Sequence, residues 1–298
     1  MTKYHDPVLL NECVDGLNID SKGVYVDVTF GGGGHSRAIL SKLDAGHLYA
    51  FDQDDDALNN EIEAEGFTLI NANFRYLKNS LRMYGVKEID GLLADLGVSS
   101  HQFDVADRGF SIRFESDLDM RMDQNAELSA YKVLNTYEQE ELRNILKCYG
   151  ELKRPGTIAR VIYEAKQNKP IETVNELKDL LRPFAPKMQE NKFFAQVFQT
   201  IRIEVNDELN ALRNMLLQAQ DIIKPGGRLV VISYHSLEDR LVKRYIKSGN
   251  FEGIPKKDFY GNLNKPLKGI GKLIVPSINE IKLNRRSRSA KLRIAEKI

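Results

Sequence analysis

Hydrophobic and polar positions alternate along the first third of the chain in a repeating rhythm: a short apolar run, a turn, then an amphipathic stretch. V-Y-V-D-V-T-F-G at residues 24–31 reads as a first strand, and Ala38, Ile39, Leu40 and Leu43 form the inward face of a helix after it. H-L-Y-A-F-D, ending at Asp52, reads as a second strand. D-D-A-L-N-N-E-I-E-A-E then opens a helix with acids in its first turn, as the helix dipole favours. Residues 68–73 read as a third strand, residues 75–84 as a helix, and I-D-G-L-L-A-D-L-G-V at 89–98 as a fourth strand. Strands alternating with helices at this spacing predict a parallel, doubly wound α/β sheet.

After Ser100 the rhythm changes. Between about residues 107 and 206 no strand pattern stands out, whereas Leu142, Ile145, Leu146 and Tyr149, and again Ile158, Val161, Ile162 and Ala165, recur at helical spacing. T-Y-E-Q at Thr136 and T-V-N-E at Thr173 read as capping boxes. The pattern predicts a helical insertion over 107–206, between a first sheet segment at 1–106 and a second at 207–298. A long helix over 193–223 leads back to the sheet, ended by P-G-G at 225–227, with G-R-L-V-V-I-S-Y-H-S as the fifth strand and a helix over 237–247. Two short strands, near 273–276 and 290–296, complete seven.

Length, composition and charge add four constraints. At 298 residues the chain can bury a full α/β core with material for a smaller unit. Cys13 and Cys148 lie far apart without C-x-x-C or histidine partners, so neither a metal site nor a disulfide framework is indicated. The formal charge of +1 hides a basic last quarter, from Arg240 through R-R-S-R at 285–288, which is read as a phosphate-contacting face. The opening M-T-K-Y-H-D-P has no signal-peptide character and no apolar run spans a bilayer, so a cytoplasmic protein without a membrane partner is expected.

The candidate chemistry sits at strand ends, where parallel sheets bind ligands. Four glycines, Gly31 to Gly34, follow the first strand. Ser36 and Arg37 stand where a dinucleotide fingerprint needs glycine or alanine, while Asp27 gives D-x-x-x-G-x-G, which looks like motif I of the S-adenosylmethionine-dependent methyltransferases. Asp52 lies about twenty residues beyond the glycines, the distance for a ribose-binding acid, and equally suits a helix cap. Phe74 reads as core by pattern, with adenine packing as the other reading. D-L-G-V-S-S places Asp95, Ser99 and Ser100 at the fourth strand's end, and S-Y-H-S-L-E-D-R places Tyr234 and His235 at the fifth's. Ser236 with Asp239 reads as the cap of the helix that follows. Asp119, Arg121 and Asp123 of L-D-M-R-M-D read as an ion-pair network joining the insertion to the sheet.

Together, H-D-P-V-L-L-N-E, D-V-T-F-G-G-G-G-H-S, D-L-G-V-S-S, R-G-F-S, L-D-M-R-M-D, F-Q-T-I-R-I-E-V-N-D-E-L, P-G-G-R-L-V-V-I-S-Y-H-S-L-E-D-R and R-S-R-S-A-K-L-R-I-A-E-K resemble the bacterial 16S rRNA cytosine-N4 methyltransferase H family over nearly the whole chain. The resemblance implies a class I methyltransferase fold, a Rossmann-like, mostly parallel seven-stranded sheet with an inserted all-helical domain for substrate recognition. It implies S-adenosyl-L-methionine as cofactor, with Gly33, Gly34, His35, Asp52, Phe74, Asp95 and Gln102 as its contacts, so Phe74 is reassigned from core. It implies methylation of a cytosine exocyclic amine in the decoding centre of 16S rRNA, on the small ribosomal subunit. Asp95 with Ser99 and Ser100 would orient the methionine moiety and the amine, and Tyr234 or His235 would hold the base. The sequence departs from the family at Glu115, Ser116 and Asp117, where D-G-P or D-A-P is usual, and at R-P-G-T, residues 154–157. The rival readings are a non-catalytic RNA-binding assembly factor, a nicotinamide-nucleotide enzyme on the same fold, and a DNA cytosine-N4 methyltransferase. D-L-G-V-S-S departs from the D-P-P-Y-type tetrad of the last.

Overall fold

The computed structural model describes residues 7–261 and 265–298. Residues 1–6, with His5 and Asp6 of the first family block, and residues 262–264 of the expected late loop lie outside the described residues. Seven strands form one sheet: β1 Val24–Asp27, β2 His47–Asp52, β3 Phe67–Asn71, β4 Ile89–Asp95, β5 Ile223–Ser233, β6 Leu267–Ile274 and β7 Lys291–Lys297. Their order is β3-β2-β1-β4-β5-β7-β6. The first five are parallel, and β7 runs antiparallel between β5 and β6. The mostly parallel seven-stranded sheet that the family resemblance implies is therefore present.

Central strands buried on both faces carry near-continuous apolar runs, as β4 and the second half of β5 do. Gly91 inside β4 has a packing reason: a Cβ there would lie 2.9 Å from the Tyr25 ring and 3.1 Å from Leu17, both fully buried. The bare position lets an aromatic ring from β1 sit against its neighbour strand.

The described residues divide into two compact units, those up to 97 together with those from 209 onward, and residues 98–208. The second unit is helical around its own core, built from Leu142, Ile145 and Leu146, Ile158 and Ile162, and Phe194, Val197 and Ile201. Its only strand-like pairing among the described residues is the bridge Asp117–Thr173. The R-P-G-T departure starts the helix Pro155–Asn168, with proline where a helix needs no N–H.

Several local expectations are corrected. The long helix over 193–223 is two helices, Glu190–Asn206 and Glu208–Ile222, separated at Asp207, whose φ is 49°. The helix expected from Asp55 is one turn, Asp55–Leu58. Glu138 with Glu141, not Thr136, caps the helix Gln139–Cys148, whereas Thr173 with Glu176 caps as expected. The Asp119–Arg121 pair, at 2.7 Å, is internal to the second unit: Arg121 also donates to the carbonyls of Gln124 and Ala126, and Asn206 holds Met120 and Met122. L-D-M-R-M-D is thus an irregular segment pinned by side-chain hydrogen bonds, which is why no helix or strand period fits it. Among the described residues no helix is long and apolar enough to cross a membrane.

Candidate active site

At the end of β1, Asp27 is buried and fully engaged. Its Oδ2 accepts from the Ser36 hydroxyl at 2.7 Å, and its Oδ1 accepts from the Thr29 amide at 3.1 Å and the Thr29 hydroxyl at 3.4 Å. The Thr29 oxygen in turn accepts the Asp95 N–H at 2.7 Å. The acid of the glycine motif is therefore a staple that fixes the turn to β4, a role for Thr29 and Ser36 that the motif spacing did not disclose. Within the turn Gly31 has φ 51° and Gly33 φ 73°. A Cβ on Gly33 would lie 2.8 to 2.9 Å from Arg37 and the Phe30 ring, so only glycine closes this corner. Ser36→Ala is expected to leave a buried carboxylate oxygen short of a donor and to lower stability by about 1–3 kcal/mol. A denaturant midpoint equal to that of the wild type would contradict the staple.

Asp52 closes β2, the neighbour of β1. Its Oδ2 accepts the Gly31 N–H at 2.8 Å and its Oδ1 the Asp54 N–H at 3.0 Å. Desolvation raises its carboxyl to about 6. The helix-cap reading of Asp52 does not hold, because Asp54 caps the turn Asp55–Leu58. Phe74, beyond β3, is half-buried at the start of the 3-10 turn Phe74–Tyr76, oriented by the Asn73 cap.

At the end of β4, on the other side of β1, Asp95 meets two partners. The Tyr234 hydroxyl donates to Asp95 Oδ1 at 2.8 Å, and His35 Nδ1 lies 3.8 Å from Oδ2. The other ring nitrogen of His35, Nε2, is 3.0 Å from the Val8 carbonyl, an acceptor only, so Nε2 carries the hydrogen. Burial raises the Asp95 carboxyl to about 6 against the opposing effects of His35 and the tyrosine hydrogen bond. Burial and that same carboxylate push the Tyr234 phenol well above its ordinary value, so it remains a donor at neutral pH.

His35, Asp95 and Tyr234 are thus brought together, with Gly33 and Gly34 beside them in sequence at the turn and Asp52 holding that turn from β2. His235 is placed otherwise. It caps the helix Ser236–Ser248: its Nδ1 accepts the Glu238 N–H at 3.4 Å, its Nε2 lies 3.2 Å from Glu238 Oε1, and Glu238 Oε2 accepts the Tyr234 and His235 amides. The cap expected at Ser236 is therefore formed one residue earlier, and Asp239 pairs with Arg293 at 2.8 Å. In the second unit, Ser99 and the buried Gln102 form a capping box for the helix Ser100–Asp104, at 3.2 and 3.0 Å. The S-x-x-Q spacing was the signal for that cap.

A family model described as the MraW methylase family matches residues 2–298. A protein named ribosomal RNA small subunit methyltransferase H from Flavobacterium johnsoniae is 60% identical over 297 residues, covering 99% of this chain and 98% of its own. One of the same name from Christiangramia forsetii is 59% identical over 299 residues, covering 100% and 99%. Among solved structures, an rRNA methylase from Streptococcus thermophilus aligns over 97% of this chain and 93% of its own, with 14% identity and a TM-score of 0.41.

Proposed function

The chain belongs to the MraW methylase family, and on that premise we propose that it transfers a methyl group from S-adenosylmethionine to the exocyclic N4 amine of a cytosine in the decoding centre of 16S rRNA, on the small subunit in the cytoplasm. The observation that carries the reading is the placement of two half-buried carboxylates, Asp52 and Asp95, at the ends of the strands flanking the glycine turn.

The residues present fit the cofactor. Asp52 gives only one lone pair of each oxygen to a backbone N–H, which leaves acceptor capacity for a ribose diol. Phe74 offers a half-buried ring at the end of the next strand, and Asp95 and the bare turn complete the row. When bound, the sulfonium supplies an electrophilic methyl group. Everything else falls to the protein. The lone pair of cytosine N4 is delocalised into the ring, so the amine is a weak nucleophile and must be held in line; positioning of this kind supplies up to roughly 7–11 kcal/mol. Asp95, ionised above its raised pKa and steadied by Tyr234, accepts a hydrogen bond from the amine, localises its lone pair and takes up the proton that the amine loses as its new N–C bond forms. A positioned base of this kind contributes about a hundred- to ten-thousandfold. His235, engaged by Glu238, acts on Tyr234 through the cap it shares with it rather than on the base.

Methylation at cytosine C5 needs a thiolate nucleophile. Cys13 is buried in the helix Leu10–Leu17, and burial pushes its thiol up, while Cys148 closes the helix Gln139–Cys148. Ser99 and Gln102 serve the helix cap described above, and an extruded base in a single-stranded loop is the substrate form that costs least. Incubation with labelled S-adenosylmethionine and small subunits, followed by mass mapping of the RNA, is expected to give one N4-methylated cytosine. Label at C5, or label in duplex DNA instead, would overturn the assignment. No label at all would favour a binding factor, and NADH binding in place of S-adenosylhomocysteine would favour a nicotinamide enzyme.

A further inference from the structure

Within the first unit, a cavity of about 300 Å3 lies between the helix Ser236–Ser248 and the strands β6 and β7. Its cations are Lys243, Lys247, Lys265, Lys272 and Arg293, and among the described residues no carboxylate lines it. Ile246, Ile270, Leu273 and Ile294 supply an apolar floor. Arg293 is held by Asp239 at 2.8 Å, but among the described residues no ion pair engages any of the four lysines. Resting on the reading above that the substrate is ribosomal RNA, we propose that this groove is a docking surface for the RNA strand, taking successive phosphodiesters along the lysines and a sugar or base edge on the isoleucine floor.

Lysines on an edge strand also serve simply to discourage edge-to-edge pairing, and β6 is the edge of this sheet. That explanation covers Lys272 on β6. It does not cover Lys243 and Lys247, which are four residues apart on the helix and so share one face, with Cβ positions roughly 5–6 Å apart. That interval suits adjacent phosphates of one strand. In the strand sequence K-G-I-G-K two of the lining positions carry no side chain: Gly269, where a Cβ would make ordinary contact with Ile246 at 3.4 Å, and Gly271, with φ 68° and open space around it. The volume is at the small end of ligand sites, the scale of a single nucleotide rather than of a folded partner. An acidic protein surface would be served as well by flat, scattered lysines, whereas a concave cationic wall over an apolar floor matches a polyanion with a planar apolar component.

The test compares wild type with the triple variant K243Q/K247Q/K272Q, using small ribosomal subunits as substrate over a series of salt concentrations. The variant is expected to raise KM about tenfold or more near physiological salt with kcat unchanged, and to flatten the log–log salt slope by about 2, since each lost phosphate contact on a single strand contributes about 0.7. Its melting temperature and its affinity for S-adenosylhomocysteine should match wild type, which shows that fold and cofactor site are intact. If wild type transfers methyl groups and the variant keeps the same KM and salt slope, the groove is not an RNA contact and the proposed function stands. If wild type transfers nothing, the function reading fails, and the salt slopes for filter binding of small-subunit RNA by the two proteins still decide the groove. A variant that differs only in binding inorganic phosphate would mark a small-anion site and overturn the proposal.

Discussion

Asp95→Asn is expected to remove methyl transfer while making the ligand-free protein more stable at pH 8. The two effects have one cause. Asp95 is held by a tyrosine hydroxyl at 2.8 Å, yet burial raises its carboxyl to about 6, above the ordinary 3.8. Because the folded value lies above the unfolded one, the folded chain keeps a proton that the unfolded chain has released between about pH 4 and 6. Stability from this group therefore falls as pH rises through that window, and at pH 8 the full cost of a buried charge is present. Asparagine carries no such cost, still offers an oxygen to Tyr234, and is expected to gain on the order of 1–3 kcal/mol, a few degrees in melting temperature. Near pH 4 the two proteins should converge. As a neutral amide, however, it is a much poorer acceptor for the amine, so turnover should drop by at least about a hundredfold. Near-normal turnover at saturating cofactor would remove Asp95 from the mechanism, and an unchanged melting temperature at pH 8 would show that its charge is not penalised.

Such stored cost is the kind of feature a sequence shows only indirectly. An acid followed by glycine and two serines at the end of an apolar run is poor strand-making, and that local conflict marks D-L-G-V-S-S in the sequence itself. The central strands β4 and β5 are legible because strands buried on both faces are written as unbroken apolar runs. The pattern predicts the sixth strand near 273–276, later than β6, because an edge strand reading K-G-I-G-K has almost no apolar signal. The helix break at Asp207 was invisible to periodicity, since the apolar stripe continues on both sides; only the residue's tolerance for a left-handed backbone hinted at it. Residue type alone points to Ser236 as the cap, whereas the imidazole of His235 forms it. Pairings across the sheet, Tyr234 with Asp95 or Thr29 with Asp95, depend on strand order and lie beyond any local pattern.

Asp52 should decide cofactor affinity in the same way that Asp95 decides chemistry, and its substitutions separate two jobs. Its Oδ2 fixes the Gly31 amide and so the shape of the turn, while the remaining lone pairs are the proposed ribose acceptors. Asp52→Asn can keep the Gly31 contact through its one carbonyl oxygen but loses the charge and half of the acceptors. Asp52→Ala loses the contact as well. Hydrogen bonds involving a charged partner are worth about 1.5–3 kcal/mol, so alanine is expected to weaken S-adenosylhomocysteine binding by at least about ten- to a hundredfold, with asparagine between alanine and wild type. Since burial raises Asp52 to about 6, wild-type affinity should fall as pH drops through 6 and the carboxyl gains a proton. Asp95 titrates in the same region, so the Asp52→Asn protein should retain a shallower pH dependence, and Asp52→Asn/Asp95→Asn a nearly flat one. Calorimetric titration at pH 8 and pH 5.5 measures all four. Wild-type affinity in Asp52→Ala would mean that the carboxylate serves only the turn, and a pH-independent wild type would mean that neither acid faces the bound nucleoside.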